Sequence, residues 1–524
     1  MPSVTSRYII GLVITAVIGF FGYFGINVYL SQTENLQSEE AIAGQMPLSK
    51  HEASDKALEY FHAHWGTNSE GTLTSSVYFN TDKLMNGYVQ KNDLADTYTT
   101  PMSAWAPADY FQIEISRDDS PAAVLYMHMY TGEVFGWESS AAMIDPPIDA
   151  GSILEEQGFA EASLLEQNLQ PDGSTLHVYQ LPNERVGEAE LRFDIEITNG
   201  TVVSYLPYFQ VPESYIEWQE EQETTTMVLQ LISMASTLVL AVVALILVIF
   251  YRSSLTFTRS IVLTVAYLAT ALIYNMNLIP AYEITDSGSV TYLVWFQGIY
   301  FFFSAISIYL SGVSGEGMWR KEGRHLWPQF SDEHFGTHVV RSMGLGYLFC
   351  FVVMGLQNTM FLFGYKFLDM WSIQDPMMSP YNLQWAYLFP LLAWVAAISE
   401  ELIYRVFGLA VFKKLVRYTP IAALLSSMVW GLGHVGYPIY PVYSRFVEVT
   451  ILGLLFCYIY LRHGFYTALF THAIMDSVLM SFSILPVGGL KNGLAAIFFL
   501  CFPAIIGGLL YWFHRWFRRA PEPA

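Results

Sequence analysis

Between residues 227 and 513 nine apolar stretches follow one another with only short polar loops between them. They lie at about 227–251, 261–281, 292–310, 343–363, 387–412, 421–437, 446–461, 465–484 and 493–513. Runs of that length satisfy a bilayer only as helices, because lipid offers nothing to pair with an open backbone. A tenth run, 8–30, follows a lone Arg7 and is longer than a usual signal-peptide core. It reads as an uncleaved anchor, since Ala41-Ile42-Ala43 lies too far downstream for a cleavage site. The expected fold is therefore a polytopic α-helical membrane protein of about ten spans.

Between the first span and the second, from about 31 to 226, the chain changes character. There 33 acidic residues face 7 basic ones between Glu34 and Glu223, more than the whole net charge of −21. So acidic a surface repels phosphate and excludes nucleic acid as a partner. Ser49-Lys50-His51-Glu52 is a capping-box pattern opening a helix that runs to about His64. Phe111, Ile113 and Ile115 alternate with polar residues as a half-buried strand does. Leu191, Phe193, Ile195 and Ile197 do the same, and Asn199-Gly200 then turns the chain into 201–205 as a hairpin. A second helix is expected over 153–167. Helix followed by strands thus occurs twice, at about 49–140 and 150–212, which predicts a tandem α+β domain inserted between spans one and two. The first unit, with Ala53 and Ala57 in its helix and Tyr130-Thr131-Gly132-Glu133-Val134 at a strand turn, resembles PepSY domains.

Lys and Arg set the orientation. Arg252 and Arg259, then Arg320, Lys321 and Arg324, then Lys413, Lys414 and Arg417, then Arg462, then Arg515 and Arg518 fall on one side. The opposite loops hold one base each (Lys366, Arg445, Lys491), and 283–291 holds none. Both termini are expected in the cytoplasm and 31–226 outside it. The division is then an anchor at 8–30, the acidic domain at 31–226, spans two to four with a cytoplasmic loop at 227–340, a membrane-embedded unit at 341–515 and a tail at 516–524. Cys350, Cys457 and Cys501 all fall in apolar runs, so the acidic domain has no disulfide and cysteine use does not report the compartment.

Charge inside the spans carries the chemistry. Glu400, Glu401 and Arg405 sit within the run 387–412. Such groups are expensive in lipid and mark a functional site with partners. Glu401 and Arg405, four apart, share a helix face and neutralise each other, while Glu400 points about 100° away toward water or a histidine. His434 in the next span, behind Gly431 and Gly433, and His472 with Asp476 on one face of the ninth are the available partners. Glu448 beside Arg445 reads as an interfacial pair and His463 as a loop residue. Ser426 and Ser427, about two turns from His434, are the weaker nucleophile candidates.

These pieces match the motifs of a family. Ala397-Ile398-Ser399-Glu400-Glu401-Leu402-Ile403-Tyr404-Arg405 resembles the EExxxR motif of the CPBP family, the CaaX-protease and bacteriocin-processing group also called Abi. Trp430 to His434 is similar to its FxxxH, and His472 to Asp476 to its HxxxN, in the family's order. Trp430 stands where Phe is usual and Asp476 where Asn is usual. The resemblance covers about 340–515. It implies an intramembrane glutamate-type endopeptidase in which Glu400 and His434 activate water, Glu401 and Arg405 orient the site, and His472 with residue 476 stabilises the oxyanion. An ionised Asp476 cannot donate to an oxyanion, so it either carries a proton or orients His472.

The resemblance implies no cofactor and a peptide or protein substrate within the bilayer. Zinc held by Glu400, His434 and His472 is the alternative chemistry, although no HExxH is present. A non-catalytic scaffold or sensor, using the acidic domain to bind a partner, competes from another class. A proton-coupled transporter also uses intramembrane Glu and His, but no inverted repeat is evident. Substrate identity, prenyl recognition and oligomeric state are not written in these residues.

Overall fold

A computed structural model describes residues 6–33, 46–66, 71–98, 101–140, 143, 144, 147, 149–285 and 289–519. Ala41-Ile42-Ala43 lies outside them. Helix α1 (Ser6–Thr33) leads to α2 (Lys50–Trp65), whose N-cap is the expected capping box between Ser49 and Glu52. The chain continues through β1 (Leu73–Thr81), α3 (Lys83–Lys91), α4 (Met102–Trp105), β2 (Asp109–Arg117), β3 (Ser120–His128) and β4 (Val134–Ser139). After α5 (Ala150–Glu156) come β5 (Ser163–Leu169), β6 (Thr175–Val186), β7 (Ala189–Thr198) and β8 (Thr201–Gln210).

These strands make one eight-stranded antiparallel sheet ordered β1-β2-β3-β4-β8-β7-β6-β5. Each half is four strands preceded by a helix, and the halves join at β4 and β8. Phe111, Phe193, Ile113 and Ile195 are fully buried on its covered face, each worth about 1.5–3 kcal/mol. Asn199 and Gly200 both take positive φ, 51° and 77°, as a two-residue hairpin turn requires. The helix expected over 153–167 is corrected: it stops at Glu156, Gly158 turns at φ 86°, and Ser163–Leu169 is an edge strand. That strand is exposed along its whole length, so no core face marks its period in the sequence.

The other edge, β1, is covered. Asn382 receives the Phe79 N–H on Oδ1 at 2.7 Å and donates from Nδ2 to the Phe79 carbonyl at 2.7 Å. A side-chain amide from the membrane part thus completes the ladder and blunts the edge.

From β8 the chain passes directly into α6 (Glu213–Tyr251), a 39-residue helix about 58 Å long. There follow α7 (Ile261–Asn277), α8 (Ile279–Thr285), α9 (Val290–Lys321), α10 (Phe335–Phe367), α11 (Leu392–Glu400), a π-helical stretch Glu401–Gly408, α12 (Leu409–Val416), α13 (Thr419–Leu432), α14 (Val442–His463), α15 (Phe465–Ser483) and α16 (Leu490–Arg519). Short strands β9 (Trp371–Ser372) and β10 (Ile439–Tyr440) pair with each other.

All ten apolar runs contain helix, although 421–437 leaves it after Leu432. Among the described residues seven helical stretches are long and apolar enough to cross a membrane: Ser6–Tyr29, Glu213–Ser254, Val290–Lys321, Phe335–Phe367, Ala386–Val416, Val442–His463 and Leu490–Arg518. Ile261–Asn277 and Thr419–Leu432 are shorter apolar helices. The 19-residue α15 falls outside the seven because His472 and Asp476 lower its hydropathy. The chain is a multi-pass membrane protein with a mixed helix-and-sheet domain after its first helix.

Helices α1 and α10 meet through glycine. A Cβ on Gly19 would stand 2.2 Å from the Phe351 carbonyl oxygen, and one on Gly355 would stand 2.5 Å from the Gly19 Cα. Such close backbone approach is the usual way membrane helices pack. His463, expected in a loop, is instead the last residue of α14. It is buried, with Nε2 2.7 Å from the Tyr8 hydroxyl, and ties α1 to the bundle.

Candidate active site

Ser399–Arg405 ends α11 and enters the π-helical stretch 401–408. A π turn shifts carbonyls out of the i→i−4 ladder and is frequent at functional sites. Here neighbouring helices supply the missing donors. The Ser426 hydroxyl of α13 donates to the Tyr404 carbonyl at 2.6 Å, and the Trp319 indole of α9 donates to the Val406 carbonyl at 2.9 Å. Ser427 donates to its own helix at Ala423. Both serines are thus engaged with backbone and stand apart from the histidines' chemistry.

All six polar residues singled out in the sequence converge. Arg405 Nη1 lies 3.4 Å from Glu401 Oε1, with 1% and 0% of the side chains exposed. The guanidinium also stacks 3.9 Å above the Trp430 ring and 5.0 Å from that of Phe456. Glu401 is shared, because the same Oε1 is 2.8 Å from His472 Nδ1. Glu401 therefore holds the His472 ring as well as the arginine, more than the self-contained pair expected.

Glu400 faces both histidines. Its Oε1 is 3.8 Å from His434 Nε2, and its Oε2 is 3.7 Å from His472 Nε2. Asp476 Oδ2 stands 3.4 Å from the same His472 nitrogen, one helical turn away on α15. His434 is displaced from where the sequence put it. Helix α13 ends at Leu432, so His434 lies in the turn beyond, with Nδ1 2.9 Å from the Trp430 carbonyl. A carbonyl only accepts, so Nδ1 carries the proton and, in the neutral ring, Nε2 is bare and aimed at Glu400. Gly431 lets α14 approach closely, since a Cβ there would meet Thr450 Oγ1 at 2.7 Å.

Trp430 is the residue whose role the sequence did not disclose. Its indole Nε1–H donates to Glu400 Oε2. The substitution of Trp for the usual Phe was the only signal. Glu448 pairs with Arg445 as expected and is buried, taking a further hydrogen bond from Gln357 at 2.9 Å.

Helix α6 brings the sheet domain to this site along one polar stripe. Gln219 donates to the Tyr440 hydroxyl at 2.9 Å, and Gln222 accepts from the Val442 N–H at 3.1 Å. Gln230 lies against Gly436, where a Cβ would meet its Nε2 at 1.9 Å, and the Thr237 hydroxyl is 3.3 Å from that of Tyr404. The loop carrying His434 is thus gripped by α6, the helix that leads out of the sheet domain.

Among the described residues no group of three His, Cys, Asp or Glu is arranged as a metal site. Residues 382–478 match the family model described as type II CAAX prenyl endopeptidase, Rce1-like. All six polar residues and Trp430 fall inside that segment. No curated protein and no solved structure matches the chain.

Proposed function

We propose that the protein is an intramembrane endopeptidase that hydrolyses a peptide bond of a membrane-associated protein or peptide with water activated by Glu400 and His434. The observation that carries this is the gap of 3.8 Å between Glu400 Oε1 and His434 Nε2. It is too long for a direct hydrogen bond, yet one oxygen can lie about 2.8 Å from both. Water so held can lose its proton to the carboxylate as it attacks a carbonyl carbon, the pattern of general-base catalysis. The match of residues 382–478 to a CAAX prenyl endopeptidase family supports the same reaction class.

His472 is the oxyanion donor in this reading. Its Nδ1–H is taken by Glu401, so Nε2 donates only when the ring carries both protons, and Glu400 and Asp476 are the counter-charges for that form. Glu401 and Arg405 touch no reacting atom; they are positioning residues, Glu401 for His472 and Arg405 for Glu401. Asp476 orients and balances His472.

The lysine and arginine pattern supports cytoplasmic termini and an extracytoplasmic sheet domain. Comparing the membrane proteome of cells carrying the protein with that of cells carrying Glu400→Ala tests the function. A set of cleavage products present in the first and missing in the second is expected. Identical products at equal protein levels favour a scaffold or sensor. Stoichiometric zinc in purified protein, lost together with activity on chelation, would replace the metal-free form with one in which Glu400, His434 and His472 hold the ion.

A further inference from the structure

We propose that Trp430 and Asp476 are a coupled pair of positioning residues, the Trp430 indole N–H being the donor that keeps the Glu400 carboxylate in service beside the extra carboxylate of Asp476. The inference rests on the reading of Glu400 as the base.

One imidazole here serves three carboxylates. His472 Nδ1 is 2.8 Å from Glu401, while its Nε2 has Asp476 at 3.4 Å and Glu400 at 3.7 Å. A histidine ring has two N–H groups at most, so one acceptor must find another donor. Asp476 is the nearer to Nε2, and Glu400 is the acceptor with a second partner, the indole of Trp430. Arg405 does not fill that place, because it faces Glu401 and lies flat on the Trp430 ring. The Tyr404 hydroxyl is paired with Thr237.

Trp430 also accepts His434 Nδ1 on its carbonyl, so one buried residue fixes both groups that would hold the water. The backbone contact and the ring face would survive a change to Phe. The N–H to Glu400 would not. Conversely, Asn at 476 would remove a negative charge from the cluster and add an N–H. The two departures from the motif pattern therefore compensate each other: the carboxylate that crowds Glu400 is matched by a donor that Phe lacks.

The test is a double-mutant cycle in cells, reading the rate at which Glu400-dependent cleavage products accumulate per folded protein. Trp430→Phe alone should lower that rate at least tenfold. In an Asp476→Asn background the same change should lower it less than threefold. An equal loss in both backgrounds, or no loss in either, overturns the proposal while Glu400→Gln remains inactive. If no product depends on Glu400, the proposed reaction fails instead and takes this inference with it.

A readout independent of turnover covers the case in which Asp476→Asn is itself inactive. The ultraviolet resonance Raman difference between the protein and its Trp430→Phe variant isolates one indole. It should report a strongly hydrogen-bonded N–H that becomes unbonded in Glu400→Ala. An unbonded N–H in the unsubstituted protein overturns the proposal.

Discussion

At the scale of single residues, Arg405 and Glu401 are a fully buried ion pair that His472 also uses. Removing Arg405 leaves the buried Glu401 with His472 alone as its partner, and breaking a buried pair in this way costs up to about 3–5 kcal/mol. Arg405→Leu should therefore lower stability by about that much in unfolding measured in bicelles, whereas Glu400→Gln, on the open side of the cluster, should unfold like the parent. Equal stability of Arg405→Leu and the parent would remove the brace from the account. Outside the membrane, burial raises the Asp109 carboxyl from its ordinary range to about 6, against hydrogen bonds from Thr81 and Asn86 that lower it. Because the folded state then holds the proton more tightly than the unfolded chain, the sheet domain loses stability as pH rises from about 4 to 6 and stays lower above that. The loss is of the order of 2–3 kcal/mol, and Asp109→Asn should flatten it in thermal melts across that range. The identity of the polar cluster was legible residue by residue, because charge in an apolar run has few explanations. What joins its members was not: the Trp430 N–H acts across helices, and spacing along one chain does not carry that.

Elements place the cluster. Helices α10 and α15 meet at Gly346, where a Cβ would stand 2.8 Å from the Phe470 Cβ and 3.1 Å from the Thr471 nitrogen, one residue before His472. Gly346→Val should thus push α15 aside and lower product formation at least tenfold, since displacements of about 1 Å at a reacting centre can cost two orders of magnitude. Gly344→Val is the matched control, because a Cβ there meets nothing within 4 Å. Equal effects of the two would mean the approach of α15 does not set the site. That the apolar runs along 227–513 are helical could be read directly, as lipid allows few alternatives to a helix. The π turn at Glu401 could not, because its carbonyls take donors from other elements, Ser426 and Trp319, and neither could the end of α13 before His434, where Gln230 of α6 lies against Gly436. In the sheet domain the strands with one buried face were legible from their alternation, and the edge strand β5, with none, was mistaken for helix.

The whole molecule is two layers, a sheet domain that lies in the chain between α1 and α6 and is capped onto the bundle through Asn382, and a membrane part entered along α6. A cysteine at the exposed edge, Glu166→Cys in a Cys501→Ser background, should react with a membrane-impermeant maleimide on intact cells. Labelling only after lysis would invert the proposed orientation. In the sequence, charge and apolar runs together set 31–226 apart from the rest, but nothing there signals that β1 is clamped by Asn382 or that α6 carries a polar stripe to the His434 loop. The central claim, that Glu400 activates water and does not itself attack, is tested by one turnover in ¹⁸O-water with reconstituted protein in excess over a substrate from the proteome comparison. Direct attack predicts one ¹⁸O in the new carboxyl terminus of the product and none in the Glu400 side chain. Label in Glu400, with an unlabelled first product, would contradict it.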